Sequence, residues 1–369
     1  MISLPVAQPH PPPVVNGSCE PCVFLKPCGG YRDLNLFNCF QRYCCGGKDG
    51  CDEVCPRNRH FVERVGGVNG LRFDNLAKIV QRPVDLPVYV PHLNHRYGRD
   101  YPLDWPVVAV TPYELFRMRD KVYTAVASSA DDLRSYFQLA PKTRVILRGT
   151  ERDKPLERYW THRQRDRAPE QLAMLGIDLV IGPNFSHFIE VPRTDNIYNR
   201  KRQLICLEEM QAAGLNVAPH LSDAADEDWD FWRGHIKDSP SITYVAKEFQ
   251  TGNKPLKIAR NVLKQVDSIQ QHVGRPLHPI LIGGAQLTED AASLFEQFTI
   301  LDSRPFMGAI KRRAFRSKGR RPIWSSDLTL PSIGIDGLLL SNLAGYALLL
   351  AIRAKAKASL KHLRHRRVG

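Results

Sequence analysis

Beyond residue 85 the hydrophobic positions fall into short continuous runs. They are VYV at 88–90, VVAV at 107–110, RVILR at 144–148, DLVIG at 178–182, NVAP at 216–219, ITYVA at 242–246, PILIGG at 279–284 and FTILD at 298–302. Runs of this length that are continuous rather than alternating suit strands covered on both faces. Polar stretches with helical spacing lie between them. TPYELFRMR opens with Thr111 and Pro112, a cap followed by proline in the first turn. SADDLRSYF sets Ser129 three residues ahead of Asp132, as in a capping box. YNRKRQLICLEEMQAAG places Leu204, Leu207 and Met210 on one side and stops at Gly214, and KPLKIARNVLKQVDSIQQHVG stops in the same way at Gly274. Eight strands alternating with helices predict an α/β protein, a TIM-like (β/α)8 barrel over 85–310, with an open doubly wound sheet as the alternative. No glycine-rich dinucleotide fingerprint or phosphate loop follows any of the runs, which lowers the case for nucleotide binding by such a sheet.

The pattern also sets boundaries. Residues 1–18 are proline-rich and lack the charged start and apolar run of a signal peptide, so a disordered leader is expected. A cysteine-rich head follows over 19–60, then the barrel, a basic loop over 311–335, and a closing helix with a basic tail over 336–369. The apolar segment GLLLSNLAGYALLLAI at 337–352 is broken by Ser341 and Asn342 and falls short of the roughly 20 residues that span a bilayer, so a buried helix is expected and no membrane span. A cytoplasmic location is expected with it.

Composition adds one point. The 43% hydrophobic content is that of a globular protein, but the net charge of +14 is concentrated. KRRAFRSKGRR at 311–321 holds seven basic residues and no acid, and so does the tail 353–369; without those 14, the remaining 38 of 52 basic residues balance 38 acidic ones. Lys311, Arg312, Arg313, Arg316, Lys318, Arg320, Arg321, Arg364, Arg366 and Arg367 are therefore candidate nucleic-acid contacts. A solvated helix face and an acidic membrane surface are the alternatives. Nothing in the pattern specifies an oligomeric state.

Eight of the nine cysteines lie between residues 19 and 55, in the spacing C-x2-C-x5-C-x10-C-x4-CC-x5-C-x3-C. In a reducing compartment such a cluster points to metal rather than disulfides. Cys19, Cys22, Cys28, Cys39, Cys44, Cys45, Cys51 and Cys55 suit two structural zinc ions, each closed by four thiolates. An iron–sulfur cluster is the alternative. The radical S-adenosylmethionine spacing is absent, since Asn58 stands where its third cysteine would be. His60 is a possible ninth ligand among charged neighbours, and Cys206 reads as a packed core residue.

In a barrel, chemistry collects where strands end. The runs end at Arg148; at Asn184, Ser186 and His187; at His220; at Lys247 and Glu248; at Gln286; and at Asp302 and Arg304. Asn184, Ser186, His187, His220, Lys247, Glu248 and Asp302 are candidate catalytic groups, with Glu248 or Asp302 as base or nucleophile and His187 or His220 as proton carriers. Arg148, Gln286 and Arg304 are candidate substrate or anion contacts, with Lys247 a further cation that can hold an anion. Asp223, Asp226 and Asp228 read as the acidic first turn of the next helix.

The stretch LVIGPNFSHFIEVPRTDNIYNRKRQLICLEEMQAAGLNVAPHLS resembles an uncharacterised domain family common in phages and mobile elements. The resemblance covers roughly 178–303 and rests on Pro183, Asn184, Phe185, Ser186, Pro192, Arg200, Gly214, Val217, Pro219 and Trp229, with ILIGGAQ and FTILDS as closing strands. It implies a strand–helix fold and a mobile-element context, brings no activity with it, and draws attention to Asn184 and Ser186. A more distant, fold-level analogy is to tRNA-guanine transglycosylases, barrels whose zinc motif is shorter and C-terminal. The expected function is an enzyme acting on nucleic acid or a nucleotide at the strand ends. The alternatives are a non-catalytic nucleic-acid-binding or replication-associated module and an iron–sulfur redox protein.

Overall fold

The computed structural model of this chain describes residues 52–55, 58, 60–95, 98–189, 191–326 and 334–365, the last nine by their backbone alone. The expected leader, seven of the eight clustered cysteines, and Arg366 and Arg367 lie outside them. The chain divides into two compact units. The first takes residues up to Ala77, Phe185–Ile205 and Ser222–Trp232; the second takes Lys78–Asn184, Cys206–Leu221 and Arg233 onward.

The second unit is built on eight parallel strands: β1 Tyr89–Leu93, β2 Val107–Val110, β3 Arg144–Arg148, β4 Leu179–Ile181, β5 Val217–Ala218, β6 Tyr244–Glu248, β7 His278–Ile282 and β8 Thr299–Asp302. Each pairs with the next along the chain except β5 and β6, which are joined by a single bridge between His220 and Ala246, and β8 pairs back onto β1. The seam between β5 and β6 is thin because β5 has two residues. There Ala246 N–H donates to Pro219 O at 2.8 Å and Leu221 N–H to Ala246 O at 2.8 Å. The Gln81 carboxamide spans the same seam, donating to Val217 O at 2.9 Å and Tyr244 O at 2.8 Å while accepting from Thr243 and Tyr244 N–H. The sheet is thus nearly barrel-shaped, and its consecutive order is compatible with a (β/α)8 fold and lacks the reversal of a doubly wound sheet.

Strand parity sorts the side chains. Val90, Ala109, Ile146, Ile181, Ala246, Ile282 and Leu301 meet in the interior. Each of its Val, Ile and Leu side chains stabilises the fold by about 1.5–3 kcal/mol when fully buried. Neighbours of opposite parity, such as Leu147 and Val180, are also buried, as continuous runs require. The helical signals act locally. Thr111 caps Pro112–Leu115, Ser129 caps Ala130–Tyr136 by accepting from Asp132 N–H, and Gly274 ends Leu256–Val273 in the left-handed conformation.

After Arg304–Ile310 the expected basic loop contains an antiparallel hairpin, Arg313–Lys318 with Arg321–Ser326. It is followed by one helix, Asp336–His365. The stretch Asp336–Ala356 is long and apolar enough to cross a membrane by length and composition. In this fold its Leu339, Leu343, Tyr346 and Leu350 are buried within the second unit. Asn342, a polar interruption of the apolar run, has a structural use: it accepts from Phe315 N–H at 2.7 Å and donates to Arg313 O at 2.9 Å, tying the hairpin to the helix.

Candidate functional site

Parity also decides which strand-end residues share the interior of the nearly barrel-shaped sheet. His92 lies two positions after Val90, Arg148 two after Ile146, His220 two after Ala218 and Glu248 two after Ala246, and each preceding residue belongs to the interior cluster. These four therefore turn inward at the C-terminal end of the sheet. Lys247 and Asp302 have the opposite parity.

The hydrogen bonds place three of the inward groups in two clusters, one around Arg148 and one around Glu248, and the Glu248 charge acts on Arg148 between them. Arg148 donates through Nε to Thr150 Oγ1 at 2.6 Å and through Nη1 to His92 Nδ1 at 3.0 Å. Asn184 donates through Nδ2 to Glu248 Oε2 at 3.2 Å and accepts through Oδ1 from Glu151 N–H at 2.8 Å. Thr111 Oγ1 donates to Glu151 Oε1, so residues following β2, β3 and β4 are linked to Glu248 at the end of β6. Burial lowers the Arg148 pKa, while the Glu248 and Glu151 carboxylates oppose the shift and favour the charged guanidinium. Burial, and then the Arg148 charge, push the His92 imidazole well below its usual range, so it is neutral. Gly149, next to Arg148, is required by packing: a Cβ there would lie 2.0 Å from Ile181 O.

Asp302 is engaged elsewhere. Its carboxylate accepts from Arg304 Nε at 2.7 Å and from Tyr346 Oη at 2.9 Å, on the side of the sheet covered by the final helix. Burial opposes the Arg304 charge, but Asp302 raises its pKa above the ordinary value. Lys247 is buried and donates through Nζ to Leu221 O at 2.8 Å. Gln286 is exposed and donates to Lys254 O at 2.8 Å.

Ser186 and His187 belong to the first unit. Ser186 O accepts from Asn199 Nδ2 at 2.7 Å, and His187 Nδ1 donates to Phe185 O at 2.9 Å. Burial, with the Arg200 charge adding to it, lowers the His187 pKa to about 3. Within this unit Asp228 pairs with both Arg193 and Arg200. Burial alone would raise the Asp228 pKa, but Arg200 and Arg193 override it and hold the carboxyl far below the usual range. Cys55, the one clustered cysteine among the described residues, is buried in the same unit, and His60 pairs with Glu63 at 2.9 Å.

Sequence reading singled out Arg148, Asn184, His220 and Glu248 but passed over His92, Thr111 and Glu151 as site groups. The signal for His92 was available: β1 runs on through Pro91 to Leu93, so His92 continues the inward parity of Val90. Proline reads as a strand end, but Pro91 is paired across from Asp302 without interrupting the strand.

A cavity of about 250 Å³ in the second unit lies at the opposite end of the strands, between Leu86, Val88, Phe295 and Phe298, with Glu296 and Lys355 among its lining residues. The denser set of charged and hydrogen-bonding groups is at the C-terminal ends. No protein-family model matches the chain, and no curated protein matches it.

Proposed function

We propose that this protein is an enzyme whose reaction takes place at the C-terminal end of the barrel-shaped sheet, on an anionic substrate of the nucleotide or nucleic-acid class. The observation that carries this reading is the register that brings two hydrogen-bonded pairs, Arg148 with His92 and Glu248 with Asn184, to the same end of the sheet, where the Glu248 charge acts on Arg148. Arg148 supplies a permanent positive charge for a phosphate or carboxylate group. Glu248 supplies a carboxylate that can take up a proton, and Asn184 orients it. Barrel enzymes place their chemistry at this end, which supports the reading by analogy of fold.

The test is turnover and binding of a panel of nucleotides and short oligonucleotides by the purified chain. Glu248→Gln is expected to lower turnover by about 10²–10⁴-fold while leaving binding near normal. Arg148→Met is expected to weaken binding of the anion by at least about tenfold. Folded variants that both behave as the parent protein would sink the proposal.

A second reading, a nucleic-acid-binding module without catalysis, draws support from the hairpin. Arg313, Arg316, Lys318, Arg320 and Arg321 are exposed on it. A two-stranded ribbon of this kind fits a nucleic-acid groove. We further propose that the cysteine-rich head holds two structural zinc ions, on the strength of its spacing. A mobile-element setting, implied by the resemblance over 178–303, fits both readings.

A further inference from the structure

We propose that His92 is a catalytic residue that presents its Nε2–H, as a neutral hydrogen-bond donor, to an oxygen of the substrate held beside Arg148. The inference rests on the reading of the strand ends as the active site and adds to it a residue, a protonation state and a ligand chemistry.

The tautomer follows from the partner. A guanidinium has five N–H donors and no acceptor. The nitrogen that meets Arg148 Nη1 at 3.0 Å must therefore be a lone pair, so His92 Nδ1 is unprotonated. A neutral imidazole then carries its proton on Nε2. Protonating Nδ1 would break the Arg148 hydrogen bond and set two cations together. Arg148 is the charge that acts on the ring and touches it, and Glu248 and Glu151 act in turn on Arg148.

That Nε2 is buried and has no hydrogen-bond partner among the described residues, although His92 is only 2% exposed. Buried donors are nearly always satisfied, so one left open at a strand end points to an acceptor supplied from outside. Arg148 adds to this. Its Nε and Nη1 are engaged with Thr150 and His92, while its Nη2 makes no hydrogen bond within the described residues. The pair thus offers two open donors, one neutral and one charged. Together they suit an oxygen with full or developing negative charge, a phosphoryl or carboxylate oxygen in the ground state or a carbonyl oxygen that gains charge during reaction. The neutral state matters: an uncharged imidazole donates a hydrogen bond without giving up its proton outright.

The experiment uses the full chain, uniformly labelled with ¹³C and ¹⁵N, and inorganic phosphate as the probe, with the His92 ring signals assigned through their own backbone correlations. His92 is expected to show a protonated Nε2 and a bare Nδ1, with no titration between about pH 5 and 8. Saturating phosphate should move the Nε2–H signal. His92→Phe should weaken phosphate binding by about tenfold, and His92→Gln, which keeps an N–H near the same place, should recover most of it. Titration of His92 within that range, a proton on Nδ1, or a resonance indifferent to phosphate would overturn the proposal even if neither variant folds. The two readings fail differently. If Arg148→Met abolishes phosphate binding but His92→Phe binds as the parent does, the site stands and the role of His92 falls. If neither substitution matters, the site itself is misplaced.

Discussion

Asp228 shows how far a side chain can depart from its local context. Within Asp226–Asp238 it is a helix first-turn acid, which normally sits in solvent facing the helix dipole. Here it is fully buried between Arg193 and Arg200, and it also accepts from Ala224 N–H at 2.6 Å and Ala225 N–H at 3.0 Å. Removing it strands two guanidinium groups in the interior. Asp228→Ala is expected to destabilise the protein by about 3–5 kcal/mol in urea unfolding, and Arg193→Met, Arg200→Met and Asp228→Leu together should cost far less than Asp228→Ala alone. The buried histidines set a pH dependence of the opposite residue type but the same sign. His187 titrates near 3, and burial lowers His278 to about 4. Both bind protons more readily when unfolded, at about 6.5. Their contribution is therefore complete above that value and is lost as pH falls from about 6.5 through 4 and 3, at up to about 1.4 kcal/mol per pH unit for each. Asp228, depressed in the folded state, adds its own loss only below about 4. Unfolding titrations at pH 7, 6 and 5 check this, and a stability independent of pH over that interval would contradict it.

At the scale of elements, the hairpin Arg313–Ser326 is the clearest case of structure hidden by charge. Its basic content reads as a loop, yet Phe315 and Trp324 face each other across it at 5.3 Å, and Gly319, at φ 58°, makes the turn. Phe315 also meets Tyr346 edge-on at 5.6 Å, while a Cβ on Gly308 would come within 2.5 Å of the Trp324 ring. One side of the hairpin is thus packed and the other carries the charge. If that charged side binds nucleic acid, Arg316→Glu, Lys318→Glu and Arg321→Glu combined should reduce affinity and flatten its salt dependence. The slope of log K against log salt should fall by about 0.7–0.9 for each phosphate that is no longer neutralised. An unchanged slope would place binding elsewhere. The thin β5–β6 seam shows the converse, an element too short to be secure by pairing alone and completed by the carboxamide of Gln81 from outside the sheet.

For the whole molecule, the metal proposal has a direct check. Elemental analysis of the purified chain should give about two zinc ions and no iron, the stoichiometry of two closed four-thiolate sites. Iron with a coloured protein would favour the cluster alternative, and no metal would refute both. The fold was largely legible because a two-faced sheet demands continuous apolar runs. All eight runs became strands of the parallel sheet, and the stops at Gly214 and Gly274 held as left-handed residues at φ 94° and 67°. The candidate site was half legible. Polar residues after apolar runs identify strand ends, which is how Arg148, Asn184 and Glu248 stood out.

Local sequence determined the strand–helix alternation, the caps and stops, and the concentration of charge near the C-terminus, because each depends on residues within a few positions of one another. Tertiary structure alone decided which strand-end groups share a site. Inward or outward direction turns on a one-residue parity that no run declares, and it sends Glu248 and Arg148 into the interior while turning Asp302 to Arg304 and Tyr346. It also decided the state of His92, since the tautomer of an imidazole is set by the partner that the fold brings to it, here Arg148 from two strands away around the barrel.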